Sequence, residues 1–355
     1  MLAGGAGTRL WPRSRRLLPK HLLPLAPDGR TLLRHAFDRA VRLGGEVLVI
    51  SAAAQRQQIL AELPELAPER LLLEPEPRGT GPALAWAALV ALELRPEAVM
   101  VSLHADHYLP QEGETTSALL AAAWWARELP ALVAVGVRPT RPATGFGYVE
   151  EGEEFARPAG LPAFASPLRA ALGFREKPDS ETAAAMLRQG RHLWNTGLFA
   201  WPARLLLSEM EAFAPAVLEA VRAATGAGRA DPDRWGKVPS GVVERLVLER
   251  SSLLGVLPTS LEWSDLGSFW DLHQAATAAG GADSEGNVSR GPTLLVDSFG
   301  SLVESAGDRL IVLVGASGLA VVDTPDALLV CPLDRVQELG EVVRRLEREG
   351  RAELL

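Results

Sequence analysis

Short β-type runs that alternate with longer helical ones constrain this chain more than any other feature. Residues 46–51 (EVLVIS), 71–74 (LLLE), 98–103 (AVMVSL) and 132–137 (LVAVGV) are apolar runs of strand length, of the kind that lie in a sheet covered on both faces. Between them, residues 31–43, 52–63, 82–94 and 114–128 carry apolar side chains at helical spacing. This alternation predicts a mostly parallel α/β sheet with helices on both sides. In such sheets ligands sit outside the carboxyl ends of the strands, so the chemistry is sought there.

The texture changes further along. Residues 138–167 are rich in Gly, Pro and acidic residues and predict loops with short antiparallel pieces, whereas 180–189 and 202–224 return to helical periodicity. Beyond about residue 280, short β runs are separated by Gly, Ser and Asp, which predicts a small all-β appendage closed by a charged helix near 334–349. The boundary is expected around 272–286. A length of 355 residues suits one large domain plus a smaller one, because single cores stop growing near ~250–300 residues.

Composition excludes several classes of function. With 47% hydrophobic and 23% charged residues the chain is ordinary for a globular protein. A net charge of −8 argues against nucleic-acid or anionic-membrane binding, which needs a basic face. Cys331 stands alone, which rules out an intramolecular disulfide or thiolate zinc cage and fits a reducing cytoplasm. The N-terminus is glycine-rich and then basic, the wrong order for a signal peptide. The longest apolar stretch, near 83–94, falls short of the ~20 residues of a membrane span. The expectation is a soluble, cytoplasmic protein. Only three of the 36 basic residues are lysines, Lys20, Lys177 and Lys237, and the only asparagines are Asn195 and Asn287. In so arginine-rich a chain they mark places where another side chain does not substitute.

Five motifs carry candidate chemistry. Gly4-Gly5-Ala6-Gly7-Thr8-Arg9-Leu10 can turn tightly and aim backbone N–H groups at phosphate oxygens. It lacks the GK[ST] ending of a P-loop and the third glycine of a dinucleotide fingerprint. Arg9, Arg13, Arg15, Arg16 and Lys20 follow it closely, as in an anion site; the alternatives are a simple turn and a solvated basic face. His104-Ala105-Asp106-His107 follows a strand run, where the Asp106 carboxylate can hold a hard cation such as Mg²⁺. Two histidines and one carboxylate are too few for zinc. In Trp263-Ser264-Asp265-Leu266-Gly267-Ser268, Asp265 is either the N-cap of the next helix or a second carboxylate of the Asp106 site. Glu176-Lys177-Pro178 and Trp194-Asn195-Thr196-Gly197 offer hydrogen-bonding groups for sugar hydroxyls and a compact charge for a phosphate, or simply turn chemistry.

In order, GGAGTRLWPRS with Pro19-Lys20, EPEPRGTGPAL, HADH, TGFGYVE, FREKP, WNTGLFAW and WSDLGSFWDL resemble the sugar-nucleotide pyrophosphorylase superfamily, and within it the mannose-1-phosphate guanylyltransferases. The resemblance implies a Rossmann-like, mostly parallel α/β nucleotidyltransferase domain (GT-A-like) over 1–280. It also implies a C-terminal all-β, β-helix-like segment with a terminal helix over 281–355. The implied reaction joins GTP to mannose 1-phosphate with Mg²⁺, by in-line attack on the α-phosphorus. By the same resemblance, Gly4, Gly5, Gly7 and Thr8 with Arg9 and Lys20 hold the triphosphate, and Arg78, Thr80 and Pro82 lie beside the nucleoside. Asp106 and Asp265 bind the metal, and Gly145, Gly147, Glu176, Lys177, Asn195 and Thr196 frame the sugar phosphate. The nucleophile is already an anion, so positioning and charge neutralisation suffice without a strong base.

The pattern departs from the family at Gly79 and Gly81 (usually Asn and Ala), His104 (Pro), His21 (Gln) and Glu244 (Asp). Only Met1-Leu2-Ala3 precede the glycine loop, whereas strands average ~5–6 residues. The expectation is a start placed too late or a truncated first strand, with an upstream extension raising heat stability. Two rival readings stay open: another base or sugar 1-phosphate, and a catalytically silent sugar-nucleotide sensor. The oligomeric state is not readable, a homodimer being the assembly held in view.

Overall fold

The computed structural model describes every residue except Ala6, Ala159, Leu161, Ala163, Phe164 and Ala227, and leaves the side chain of Thr8 undescribed. Contacts divide the chain into two compact units. One comprises Met1–Gly4, Ala36–His104 and Leu109–Trp263, the other Gly5–His35, Ala105–Tyr108 and Ser264–Leu355.

In the first unit, β1 (Leu2–Ala3), β2 (Val49–Ala52) and β3 (Leu71–Glu74) form a parallel sheet in the order β1-β2-β3. A second sheet holds β4 (Val99–Ser102), β5 (Leu132–Val137), β6 (Tyr148–Glu154), β7 (Arg169–Arg175) and β8 (His192–Pro202). With the later strand Leu254–Thr259, its order is β4-β8-β5-(254–259)-β7-β6. Strand 254–259 runs parallel to β5, while β4, β5 and β6 all pair antiparallel with β8. The expected parallel sheet is present in β1-β2-β3 and in the pairing of β5 with 254–259, while β8 and β7 add antiparallel pairings to the six-stranded sheet. The helical pattern of 82–94 becomes α3 (Thr80–Leu94), after α1 (Leu32–Arg42) and α2 (Arg56–Glu62). Helix α3 is apolar all round and buried along most of its length, as expected of a helix covered on every side. Helices α4 (Glu112–Glu128) and α5 (Ser180–Gln189) follow. The periodic stretch 202–224 is two helices, α6 (Ala203–Phe213) and α7 (Pro215–Ala224). Pro215 breaks it, because proline lacks an N–H and suits only a first helical turn.

The two sheets of this unit meet at one point. Leu2 N donates to Leu103 O (2.7 Å) and Leu2 bridges His104 in parallel. Beside the two-residue β1 lies a cavity of about 1090 Å³ lined by Leu48, Ile50, Leu84, Ala87, Val99 and Val101. The Met1 ammonium donates to Leu48 O (2.7 Å), and burial pushes its pKa down to about 5.

In the second unit the all-β tail coils. Strands Val288–Arg290, Leu302–Ser305 and Leu319–Asp323 stack in parallel, and Leu328–Pro332 closes them antiparallel. Thr293–Val296 pairs in parallel with Ile311–Val314. The partners Leu302↔Ala320 and Thr293↔Ile311 are each 18 residues apart (320 − 302 and 311 − 293), the signature of a chain that returns over itself once per rung. Asn287 fixes the first turn: its Nδ2 donates to Asp283 Oδ2 (3.1 Å) and Ser298 O (2.7 Å), and its Oδ1 accepts from Ser301 N (3.0 Å). The terminal helix expected near 334–349 occupies Leu339–Arg348. Leu10, Leu23, Leu25, Phe269, Leu302 and Val322 belong to one apolar core. No helix among the described residues is long and apolar enough to cross a membrane.

Candidate active site

A charge-bearing group lies in the second unit. Asp106 follows the last residue of β4 by four positions. Tyr108 N donates to Ser264 O (2.9 Å) and Ser264 N to Tyr108 O (3.1 Å), which lashes the Asp106 segment to the Asp265 segment. Lys20, only 4% exposed, places its Nζ 2.8 Å from Asp106 Oδ2 and donates to the backbone carbonyl of Asp265. Arg9 Nη2 stands 3.9 Å from Asp265 Oδ2. The fold thus brings together residues 159 positions apart (265 − 106). The competing reading of Asp265 as a helix N-cap is overturned: the cap of the helix Phe269–Ala278 is Ser268, whose side chain accepts from Asp271 N.

The glycines here have specific reasons. Gly7 has φ +62°, and a Cβ on it would stand 2.6 Å from Lys20 Cβ. A Cβ on Gly5 would lie 3.8 Å from Asp106 Oδ2. Leu266, next to Asp265, sits at φ +41°, an uncommon conformation for a bulky residue. Of the basic cluster, only Arg9 and Lys20 reach these acids. Arg13 pairs with Glu304 (3.2 Å), Arg15 with Asp326 (2.7 Å) and Arg16 with Glu347 (3.6 Å). The tail's own carboxylates take those three guanidinium groups, so the anion site expected of all five shrinks to two. Thr8, expected beside the triphosphate, has a side chain outside the described residues.

Asp106 and Asp265 offer hard oxygen donors, with side chains 29% and 24% exposed. A buried cationic head on one of them and on the other's backbone shows that this pocket accommodates positive charge. These carboxylate oxygens suit a hard cation such as Mg²⁺, while His104 and His107 set ring nitrogens within 4.8 Å of the Asp106 carboxylate.

A recognition group lies in the first unit. The loop before α3 is pinned from one side: Trp235 Nε1 donates to Glu76 O (2.8 Å), Gly81 N to Gly241 O (3.0 Å) and Gly241 N to Arg78 O (2.9 Å). The Arg78 guanidinium binds Glu76 and the Gly236 carbonyl, so it clamps the loop. A Cβ on Gly79 (φ +91°) would meet Gly241 O at 2.5 Å, and one on Gly81 would meet Leu246 Cδ1 at 2.4 Å. This close approach accounts for glycine at both positions. Thr80 Oγ1 accepts from Val243 N (2.9 Å) and lies 3.4 Å from Glu244 Oε2. Pro82 is buried in the first turn of α3.

Gly147, Glu176 and Asn195 also converge. Asn195 N donates to Gly147 O (2.8 Å), and a Cβ on Gly147 would fall 2.7 Å from Glu176 Oε2. Gly145 has open space around it. Phe146, between the two glycines, packs edge-on against Trp194 and Trp263, with ring centres 5.2 and 4.8 Å away. Lys177 Nζ lies 3.1 Å from Glu176 Oε1. Thr196 Oγ1 donates to Val135 O (2.7 Å) at the bulge between β5 and β8, which holds Asn195 in place.

Sequence reasoning gave no role to two buried acids, Glu74 and Glu244, the second noted only as a departure from the family pattern. Glu74 ends β3 at 5% exposure, and burial raises its pKa to about 7. Glu244 is 8% exposed; burial and the nearby Glu176 raise its pKa to about 7. The signal available was a lone acid inside an apolar run, in LLLE and in VERLVL.

A Nucleotidyl transferase family model matches residues 1–280, and a MannoseP isomerase/GMP-like beta-helix domain model matches 291–346. The chain belongs to the nucleotidyl transferase family. This nucleotidyl transferase is 35% identical over 366 residues to the mannose-1-phosphate guanylyltransferase of Escherichia coli (strain K12), covering 99% of this chain and 74% of that one. It is 34% identical over 363 residues to the xanthan biosynthesis protein XanB of Xanthomonas campestris pv. campestris (strain B100), with the same coverage. Its fold is similar to that of a solved protein of Thermus thermophilus described as a "mannose-1-phosphate geranyltransferase". The TM-score is 0.82 at 31% identity over 98% of each chain. Kinship across nearly the whole chain makes the nucleotidyl transferase an enzyme.

Proposed function

We propose that this nucleotidyl transferase transfers GMP from GTP to α-D-mannose 1-phosphate in the cytoplasm, releasing pyrophosphate and forming GDP-mannose. The names of its relatives support the substrates. The observation that carries the chemistry is Lys20, whose ammonium touches the Asp106 carboxylate and the Asp265 backbone carbonyl behind a glycine loop. Residues 1–280 form the catalytic domain in this reading, and 281–355 the β-helix-like segment with its helix.

A phosphate oxygen of the sugar phosphate forms the new bond to the α-phosphorus, the bond from α-phosphorus to the bridging oxygen breaks, and pyrophosphate leaves with the electron pair. Backbone N–H groups of Gly4, Gly5 and Gly7 receive phosphate oxygens, and Arg9 and Lys20 stabilise the charge gathering on the leaving group. Asp106 and Asp265 would hold Mg²⁺, which would supply charge neutralisation and orientation when bound. Thr80 and Pro82, in a loop stiffened by Arg78, border the nucleoside. Glu176, Lys177 and Asn195, with the Gly145–Gly147 backbone, position the sugar phosphate. The distribution of roles needs no covalent intermediate.

The test is pyrophosphate release from purified enzyme across four nucleoside triphosphates and a set of hexose 1-phosphates. GTP with mannose 1-phosphate is expected to turn over fastest. A different best pair would reassign the substrates within the same reaction, and no release with any pair would leave a silent sugar-nucleotide sensor.

A further inference from the structure

Glu304 takes no part in the reaction described above, yet it is the most deeply buried acid of the tail. It lies in the strand Leu302–Ser305 and is 1% exposed. Each of its oxygens faces one guanidinium: Oε2 is 3.2 Å from Arg13 and Oε1 is 3.5 Å from Arg290. Among the described residues neither oxygen accepts a hydrogen bond, so charge alone holds the three together. Arg290 in turn donates to the carbonyls of Pro24 (3.3 Å) and Leu25 (3.2 Å). One buried carboxylate therefore grips the chain at residue 13 directly and at residues 24–25 through an arginine, on both sides of Lys20. The same arc is tied at two more points, where Trp11 Nε1 donates to Leu354 O (2.8 Å) and Arg15 pairs with Asp326 (2.7 Å). Ser14, buried between the two anchored arginines, donates to the carbonyl of Gly7, and Gly7 packs against Lys20. Contacts thus run without a break from the tail to the glycine turn and its lysine.

We infer that Glu304 is a positioning residue for the phosphate loop: through Arg13 and Arg290 it holds residues 7–20 in the shape that receives the outer phosphates of the nucleotide. This rests on the proposed role of the glycine loop and names what fixes its geometry. A buried ion pair is a poor device for stability alone, because desolvation consumes most of the Coulombic gain and apolar residues of similar volume do as well. Apolar packing tolerates small slides, whereas an acid with one guanidinium on each oxygen is satisfied only with both arginines in place. A glycine-rich turn has little stiffness of its own. Backbone N–H groups and a lysine act on phosphate only when held close to their productive geometry, and the tail supplies that hold.

The experiment compares GTP with GMP, which shares the nucleoside and the α-phosphate but lacks the phosphates that the loop would hold. Equilibrium binding of each to wild type, Glu304→Gln and Arg13→Lys is measured by calorimetry in excess MgCl₂, well below the melting temperature of each protein. Wild type is expected to prefer GTP by about tenfold or more, and Glu304→Gln to weaken GTP by about tenfold while GMP stays within about twofold, the selective cost of a displaced phosphate cradle. Arg13 meets a single oxygen, so Arg13→Lys keeps the charge at that contact and should stay within about threefold of wild type for both ligands. A purely structural role for Glu304 would lower the melting temperature and leave the GTP to GMP ratio alone. The inference is overturned if folded Glu304→Gln keeps the wild-type ratio, or loses both ligands alike. Should Glu304→Gln not fold, the partly exposed Arg290→Gln takes its place, with a selective loss of GTP expected and an unchanged ratio overturning the inference. Wild type that binds GTP and GMP equally would sink the reading of the glycine loop and the inference with it. Because binding is read without turnover, a protein that shows the selective loss but releases no pyrophosphate would sink the proposed reaction and leave this inference standing.

Discussion

Tyr108 and Ser264 exchange backbone hydrogen bonds of 2.9 and 3.1 Å, and that bridge sets the Asp106 carboxylate and the Asp265 main-chain carbonyl against one lysine ammonium. The residues that flank a bridge of this kind are fixed by main chain, so their side chains are presented with little conformational freedom left to lose.

Replacing either acid should therefore disable chemistry more than folding. Asp106→Asn and Asp265→Asn are each expected to lower kcat/KM by ~10²–10³, the range for loss of one preorganised electrostatic partner. Activity titrated against MgCl₂ should shift to higher concentrations. A variant with the wild-type magnesium curve would remove that residue from the metal site.

Gly7 is held to glycine twice over, by φ +62° and by the 2.6 Å approach to Lys20 Cβ. Gly7→Ala should cost about 1–3 kcal/mol, lowering the melting temperature by about 5 °C, and should displace Lys20. Turnover is expected to fall further than the stability loss alone explains. Wild-type kcat in a destabilised but folded variant would show that Lys20 has other room.

Glu244 makes stability depend on pH. Its folded pKa of about 7 lies above the ordinary 4.5, so the folded state holds the proton more tightly than the unfolded one. The contribution is fully present below pH 4.5 and is lost as pH rises toward 7. Glu244→Gln has no charge to bury. It should be more stable than wild type at about pH 8 by at most about 3 kcal/mol, with the gap narrowing toward about pH 5. Denaturant unfolding at both pH values measures this, and a gap independent of pH would mean the acid is not buried as an acid.

The cavity beside β1 invites filling. A β-forming apolar extension of about five residues before Met1 would lengthen β1, line the 1090 Å³ cavity and take the ammonium out of its buried position. It should raise the melting temperature by several degrees, given about 0.8 kcal/mol for each CH₂ buried. Equal melting temperatures for extended and original chains would count against it.

Much of the first unit could be read directly, because 71–74 and 132–137 are short apolar runs bounded by turn residues and fold as the strands they resemble. The seven-residue β7 and eleven-residue β8 could not. β8 is buried on both faces and carries Gly197 and Asn195 in its middle, so it shows neither alternation nor a clean apolar run. The acids of the charge-bearing group were recognisable as residues, but their meeting depends on a two-residue bridge that leaves no periodic trace. The basic cluster misled for a related reason: charge density in sequence does not say whether acids elsewhere, here Glu304, Asp326 and Glu347, will claim it. Glu74 and Glu244 were given no role because an acid at the end of an apolar run looks like any strand or helix boundary until its burial is known.

Lys20 also serves the protein when no divalent ion is at hand. A partly buried carboxylate such as Asp106 without a counter-charge would lean on a cation from solution to stay in place. An ammonium already seated between Asp106 and the Asp265 backbone acts as a resident counter-ion. If the proposed divalent ion binds here, chelation should silence the enzyme and leave its thermal unfolding where it was, a separation of activity from architecture.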